Sequence, residues 1–160
     1  MKNLLPAART IAGLLTARGE TLAVAESSTG GLISAALVAV PGASAYFLGG
    51  AIIYTLESRR TLLDLPDDAL GEIRASTEAY ALLVAQTIRR RLRASWGIAE
   101  SGASGPTGNR YGDRAGHVCL AVSGRVERAV TIETGLADRA ENMDTFAAAA
   151  MALLVEALGI

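Results

Sequence analysis

The stretch VAESSTGG at residues 24–31 is the part of this chain from which its fold can be worked out. An apolar, strand-like run stops there at three hydroxyl residues and two glycines, and an apolar helical pattern begins directly afterwards. Glycines let the backbone approach a ligand closely, and the first amides of a helix have no partner within the helix. The stretch is therefore either a binding or catalytic site, or only a strand-to-helix turn with favourable capping residues.

The composition predicts one ordered domain over residues 1–160, since 51% of the residues are hydrophobic and 19% are charged. The formal net charge of -1 leaves no basic excess, so neither nucleic acid nor an anionic membrane is an expected partner. Cys119 is the only cysteine and His117 the only histidine, which excludes an intramolecular disulfide and a metal site built from thiols or imidazoles. A single cysteine is typical of a cytoplasmic protein.

The uncharged segment 27–56 is long enough to be tested as a membrane span. Its glycines and Pro41 divide it into apolar pieces, and each piece is shorter than the ~20 residues that a helix needs to cross a bilayer. No long apolar region precedes the first predicted helix, so we expect no signal peptide.

The spacing of apolar residues and the positions of glycine and proline predict the order of the helices and strands. The predicted helices cover residues 3–18, 31–40, 57–63, a long segment opening after Ser76 and ending near 95, and 139–158. The predicted strands cover 22–25, 46–55, 96–100, and a hairpin formed by 116–123 and 126–133, with a polar loop over 101–113. Helices that alternate with strands, followed by a late hairpin, predict a three-layer α/β/α sandwich with a mixed, mostly parallel sheet.

A short repeat links the opening stretch to a second strand end. Ala25-Glu26-Ser27 and Ala99-Glu100-Ser101 each end an apolar strand and lead into a glycine-rich turn. Such tripeptides also recur by chance. If the repeat is structural, it places two loops at the carboxyl ends of neighbouring strands, where ligands bind in open α/β sheets.

The sequence excludes several common types of site. No glycine-rich loop is followed by the Lys-Ser or Lys-Thr pair of a phosphate loop, and Pro106 stands where a nucleophile elbow has its second glycine. A serine nucleophile remains, with Ser27 beside amides of residues 29–31 that could form an oxyanion hole. The candidate bases are His117, Asp113, Glu57, Glu26 and Tyr54, and a binding module without chemistry stays an alternative.

Six motifs in order resemble the CinA C-terminal-domain family: AESSTGGL at 25–32, PGASAYFLGG at 41–50, Tyr54 with Glu57, GASGPTG at 102–108, GHVCLAVSG at 116–124, and Asp138-Arg139. The resemblance implies a cytoplasmic three-layer α/β/α domain that forms a homodimer or a higher homo-oligomer. It also implies hydrolysis of the amide of nicotinamide mononucleotide, a small nucleotide substrate. The products are nicotinic acid mononucleotide and ammonia, and no cofactor is required.

The resemblance also implies roles for single residues. The family's serine nucleophile corresponds to Ser27, and a tyrosine at the end of the next strand corresponds to Tyr54. Five residues after that tyrosine the family usually has a lysine that acts as the base, but this chain has Arg59. A guanidinium cannot accept the proton of a serine. We expect the catalytic residues to be Ser27, Tyr54 and Arg59, with Arg59 binding or polarising the substrate. The expected substrate-binding residues are Ser28, Thr29, Gly30, Gly31, Ser44, Gly105, Thr107, Arg110 and Arg139.

A second departure from the family lies four residues after Arg139, where Met143 replaces a common arginine. The polar loop supplies Arg110 nearby, and we infer that it replaces the lost anion contact. Three hypotheses follow for the chemistry. Tyr54 is the base, if the charge of Arg59 stabilises its phenolate; Asp113 and His117 activate Ser27 as a triad; or the protein binds a nucleotide or a partner without turnover.

Overall fold

The computed structural model describes residues 1–159 of the chain. The helices are α1 (Leu5–Arg18), α2 (Leu32–Val38), α3 (Leu56–Leu63), α4 (Glu78–Leu92) and α5 (Arg139–Ala157). The strands are β1 (Leu22–Glu26), β2 (Phe47–Ile52), β3 (Trp96–Ala103), β4 (His117–Ser123) and β5 (Glu127–Glu133). Short 3-10 turns at Ala43–Ala45 and Asp68–Leu70 complete the regular structure of the described residues.

The five strands form one mixed sheet in the order β2-β1-β3-β4-β5. β1 pairs in parallel with both β2 and β3, whereas β4 pairs antiparallel with β3 and with β5. Four strands therefore point in one direction and only β4 points in the other. The predicted mixed, mostly parallel sheet is confirmed.

Helices cover both faces of the sheet, which gives the predicted three layers. Leu22 and Val24 of β1 belong to the core under α1, α2 and α5, while Ala23 and Ala25 belong to the core under α3 and α4. All five residues of β1 are buried because a strand in the middle of such a sheet has both faces covered. Its first four residues, 22–25, are accordingly a continuous apolar run rather than an alternating one.

The ends of several elements differ from the predictions. β2 ends at Ile52 rather than Thr55, because Thr55 leaves the sheet to cap α3, with its hydroxyl accepting a hydrogen bond from the amide of Ser58. The cap of α4 is Thr77 and not Ser76, since the Thr77 hydroxyl accepts the hydrogen bond of the Tyr80 amide. β3 extends to Ala103, three residues further than predicted, because β4 pairs with it along its whole second half.

The topology locates the natural ligand crevice of the sheet. From β1 the chain passes through α2 to β2 on one side, and then through α3 and α4 to β3 on the other side of β1. The connections thus diverge at the carboxyl ends of β1 and β3, which is where open α/β sheets bind ligands. No helix within residues 1–159 has the length and apolar character needed to span a bilayer.

Candidate active site

The turn after β1 is held by two buried glutamates, one from each of the neighbouring strands. Glu26 ends β1, Glu100 lies in β3, and the side chains of both are at most 1% exposed. The repeated Ala-Glu-Ser tripeptide is therefore structural. Its two glutamates meet at the same turn because β1 and β3 run in parallel and are adjacent.

Glu26 binds the start of α2. Its carboxylate accepts backbone hydrogen bonds from Gly31 at 2.9 Å, Ile33 at 3.1 Å and Ser34 at 2.8 Å, and hydroxyl hydrogen bonds from Ser34 at 2.6 Å and Thr29 at 2.8 Å. A carboxylate at the start of a helix satisfies its free amides and complements its dipole. Glu26 thus caps α2, and no side-chain cap from Ser27, Ser28 or Thr29 is present.

Glu100 binds the turn itself. One of its oxygens accepts hydrogen bonds from the amides of Ser27 and Thr29, and the other accepts the hydroxyl of Ser28. The Thr29 hydroxyl lies 2.9 Å from the first oxygen and 2.8 Å from Glu26, so the two glutamates share its single proton. Burial raises the pKa of Glu100, although these hydrogen bonds oppose part of the increase. The glutamate therefore fixes the backbone on both sides of Ser28.

These contacts correct the predicted oxyanion hole. The amide of Thr29 donates to Glu100, that of Gly30 donates to the carbonyl of Ser27, and that of Gly31 donates to Glu26. The three residues that were expected to bind substrate through their amides therefore use them within the protein. Within residues 27–31, only the Ser28 amide makes no hydrogen bond to any described residue.

Ser27 faces a cleft of about 400 Å³ between the turn, the start of α4 and the polar loop after β3. Its side-chain hydroxyl makes no hydrogen bond to residues 1–159, whereas the hydroxyls of Ser28 and Thr29 are both bonded to glutamates. The volume is in the range of small-ligand pockets. The side chains of the cleft that matter for chemistry are Ser27, Tyr54, Tyr80, Ser101, Arg110 and Tyr111.

A second cavity of about 220 Å³ adjoins this cleft. Tyr54, Gly102 and Asn109 line both spaces. Four residues that were predicted to bind substrate line the second cavity: Ser28, Gly105, Thr107 and Arg139. The two spaces together form a bipartite site, with an aromatic part beside Ser27 and a more polar part beside Arg139.

Tyr54 is positioned by Arg139 and not by Arg59. The guanidinium of Arg139 donates to the Tyr54 hydroxyl at 2.9 Å and to the carbonyl of Gly105 at 2.7 Å. It therefore joins the end of β2 to the loop after β3. The hypothesis that Arg59 acts directly on Tyr54 is wrong, since the arginine in contact with Tyr54 is a different one.

Arg59 is buried and lies outside the two cavities that Ser27, Ser28 and Tyr54 line. Its guanidinium donates to the carbonyl of Leu65 at 3.0 Å and forms an ion pair with Asp67. These contacts fix the segment that follows α3. The pKa of the Tyr80 phenol in the cleft is raised by burial, and Arg59 opposes part of that increase.

The proposed triad of Ser27, His117 and Asp113 is not assembled. His117 has Nδ1 hydrogen-bonded to Glu133 and Nε2 at 3.0 Å from the carbonyl of Ser76, so neither ring nitrogen faces Ser27. Asp113 accepts two hydrogen bonds from Arg74 and one from Asn109. The imidazole lies behind Ser76 and supports the wall of the cleft.

Ser44 lies at the opposite end of the sheet from Ser27. It is exposed and precedes β2, whose first residue Phe47 pairs with Leu22 at the start of β1. Ser27 follows the other end of β1, about 16 Å away along a strand of this length. A single subunit therefore does not bring Ser44 into the site.

Comparison with known proteins shows the family. The model of the CinA C-terminal domain matches residues 5–158. The chain belongs to the CinA C-terminal domain family. A CinA-like protein of Synechococcus sp. strain CC9902 is 47% identical over 112 residues, covering 70% of this chain and 27% of that protein. A CinA-like protein of Salinibacter ruber is 36% identical over 137 residues, covering 86% and 33%. The chain thus spans about a third or less of these relatives.

Crystal structures of CinA proteins share the whole fold. The competence/damage inducible protein CihA from Agrobacterium tumefaciens is 30% identical, with a TM-score of 0.89 and coverage of 99% of this chain and 96% of that one. The CinA superfamily protein from Klebsiella pneumoniae 700603 is also 30% identical, with a TM-score of 0.88 and coverage of 96% of both chains. The mixed sheet and its helices are therefore those of the CinA family.

Two residues of this CinA-type cleft are not among the site residues predicted from the sequence. Ser76 has a φ of 58°, rare for a residue with a side chain, and is held by the Ser101 hydroxyl and by His117. Ser104 lines the second cavity with a buried hydroxyl that has no hydrogen-bond partner in residues 1–159. Ser104 stands at the serine position of the incomplete nucleophile elbow over 102–106, but no local pattern identifies its unbonded hydroxyl or the backbone of Ser76, because both depend on contacts between distant segments.

Proposed function

We propose that this CinA-family domain is an amidohydrolase that acts on nicotinamide mononucleotide or a closely related nucleotide amide, with Ser27 as the nucleophile. The observation that carries the proposal is that the Ser27 hydroxyl is unbonded among the described residues and faces the cleft, while the Ser27 backbone is held by Glu100. A free hydroxyl on a rigid turn is what a nucleophile requires.

The proposed reaction has two steps. The Ser27 oxygen attacks the carbonyl carbon of the amide while its proton passes to a base, and the base returns that proton to the amide nitrogen as the carbon–nitrogen bond breaks, so that ammonia is released. Water hydrolyses the resulting nicotinoyl ester, which gives nicotinic acid mononucleotide and restores the serine. We assign the base to Tyr54, which lines the cleft with Ser27 and is positioned by Arg139. The unpaired Ser28 amide supplies an oxyanion donor.

The bipartite shape of the site supports a nucleotide rather than a free amide. The part next to Ser27 contains three tyrosines, 54, 80 and 111, whose rings suit a flat pyridine ring. The adjoining cavity contains Thr107 and Arg139, which provide a hydroxyl and a cation for a phosphorylated sugar. Arg110 adds a second cation at the mouth of the cleft.

The test is release of ammonia from the mononucleotide by wild type and by Ser27→Ala. Turnover in the variant is expected to fall about a thousandfold or more, as for other serine nucleophiles. Thr10→Ala removes an exposed hydroxyl from α1, which lines neither cavity, and is the control that should leave the rate unchanged. Equal ammonia release by wild type and Ser27→Ala would contradict the assignment.

A second candidate function is nucleotide binding without turnover. It is supported by Arg59, which replaces the family's lysine base and is committed to Leu65 and Asp67. The same experiment separates the two functions. Calorimetric binding of the mononucleotide by wild type with no release of ammonia would favour the binding protein.

A further inference from the structure

The loop segment Asn109–Asp113, here called the cleft turn, forms one wall of the Ser27 cleft. Asn109, Arg110 and Tyr111 line the space, and Ala75 and Ser76 line it from the start of α4. The Arg110 guanidinium donates to the Tyr111 hydroxyl at 3.0 Å, so the two side chains are oriented together. The position of this turn therefore sets the shape of the cleft.

The cleft turn is a rigid unit in itself. The Asn109 amide donates to the carbonyl of Asp113 at 3.0 Å, and the Asn109 side-chain oxygen accepts the amides of Tyr111 at 3.0 Å and Asp113 at 3.1 Å. The Asn109 side-chain nitrogen donates to the Asp113 carboxylate at 2.8 Å. An asparagine at the start of a turn stabilises it in this way. The unit therefore moves, if it is released, as one piece.

One hydrogen-bonded ion pair connects the side chains of this unit to the rest of the molecule, and His117 Nε2 lies 3.9 Å from the same Asp113 carboxylate, beyond hydrogen-bond distance. The Arg74 guanidinium donates to both oxygens of Asp113, at 2.8 Å and 3.0 Å, and no other residue in the described chain donates to a side chain of the turn from outside it. The Asp113 side chain is 13% exposed, and the Arg74 hydrogen bond lowers its pKa. A bidentate, half-buried pair of this kind is stronger than an ordinary surface ion pair.

Arg74 is itself anchored. Its guanidinium also donates to the carbonyl of Ala75 at 3.0 Å, and its own carbonyl accepts the hydroxyl of Thr77, the cap of α4. The pair therefore fastens the cleft turn to the start of α4, across the cleft that both elements line.

We propose that Arg74 and Asp113 are positioning residues that hold the cleft turn closed against α4 and so set the affinity of the site for its ligand. The part of this proposal that concerns substrate rests on the proposed function. Ser27 is held by Glu100 on the other side of the cleft. Loss of the pair is therefore expected to raise KM while kcat changes little.

Trypsin gives a test that needs no substrate, because the bonds after Arg110 and Arg114 lie in and beside the cleft turn. In Arg74→Ala these two bonds are expected to be cut about tenfold faster than in wild type, as follows from a lost charged hydrogen bond. Arg128→Ala removes the exposed ion pair with Glu156 on a distant part of the sheet and is the matched control. Arg74→Lys, which keeps a cation beside Asp113 without the bidentate pair, should be cut at a rate between those of wild type and Arg74→Ala.

Steady-state kinetics on the mononucleotide provide the second readout. Arg74→Ala should raise KM about tenfold with kcat within about twofold, and Arg74→Lys should recover only part of this, because an ammonium cannot form the bidentate pair. Unchanged cleavage after Arg110 and Arg114 in Arg74→Ala would overturn the proposal whatever the substrate is. If wild type releases no ammonia, the proposed function fails, and the cleavage rates still decide the role of the pair.

Discussion

Glu26 and Glu100 are both buried glutamates at the same turn, but their oxygens face different groups. Each oxygen of Glu26 accepts at least one backbone amide, from Gly31 and Ile33 on one side and from Ser34 on the other. One oxygen of Glu100 faces only the Ser28 hydroxyl, which can accept a hydrogen bond as well as donate one. Burial raises the pKa of Glu100, so the fold stabilises its charged form less well than water does.

This difference predicts the effect of replacing each carboxylate by an amide. Glu26→Gln places an NH2 group against an N–H donor and is expected to lower the free energy of unfolding by about 3 kcal/mol. Glu100→Gln can direct its NH2 group at the Ser28 hydroxyl and should cost about 1 kcal/mol. Urea unfolding of the two variants beside wild type measures both values. Equal losses would show that the two carboxylates are equivalent.

At the scale of the elements, the site depends on the close approach of α4 to β3. Gly97 of β3 lies under α4, where a Cβ atom would come within 2.2 Å of the Ala85 carbonyl oxygen. Only glycine fits at this distance, because the neighbouring atom belongs to the helix backbone. α4 in turn carries Tyr80 and begins beside Ser76, so its distance from β3 sets the width of the cleft.

Gly97→Ala is therefore expected to destabilise the protein by about 2 kcal/mol through overpacking. Gly13→Ala is the matched control, since Gly13 lies exposed within α1 and a Cβ atom there would meet nothing within 4 Å. It should stabilise the protein by about 0.5–1 kcal/mol, because alanine is the better helix former. Thermal unfolding of the two variants should move the midpoint in opposite directions. A stable Gly97→Ala variant would mean that α4 can shift away from the sheet.

At the scale of the whole molecule, His117 joins three distant segments beneath the cleft. It begins β4, contacts Glu133 at the end of β5 and the Ser76 carbonyl before α4, and lies 3.9 Å from Asp113. Burial lowers its pKa, but the hydrogen bonds to Glu133 and Ser76 and the charge of Asp113 outweigh that effect, and the pKa is raised. The protonated imidazole is thus the form that holds these segments together.

The raised pKa predicts how stability depends on pH. A folded-state pKa above the unfolded value of 6.5 gives a contribution that is fully present below that pH and is lost as the pH rises through the folded value. The difference in unfolding free energy between wild type and His117→Gln should therefore be largest at about pH 6 and should decrease toward about pH 9. Glu133→Gln should reduce the same dependence. A difference that stays constant with pH would show that His117 does not change its charge in this range.

The sequence by itself determined the order of the elements, the three layers and the mixed sheet. Apolar periodicity and the positions of glycine and proline are local signals, and they were sufficient for these features. The repeated Ala-Glu-Ser tripeptide placed residues 25–27 and 99–101 together only on the condition that the repeat is structural, and the parallel pairing of β1 with β3 meets that condition. The polar loop that lines the cleft was evident from its length and glycine content alone.

Only the tertiary structure decided which groups at that edge are free to act. In the folded chain the amide of Thr29 donates to Glu100 and that of Gly31 to Glu26, and Arg59 is buried against Asp67. The Ser27 hydroxyl has no hydrogen-bond partner within residues 1–159. The physical reason is that a hydrogen bond across 70 residues depends on strand register and helix packing, which no local pattern encodes. The turn that the sequence left as either a cap or a site is held by the two glutamates and lies beside the cleft. Glu26 caps α2 and Glu100 holds the backbone of Ser27, whose hydroxyl makes no hydrogen bond to a described residue.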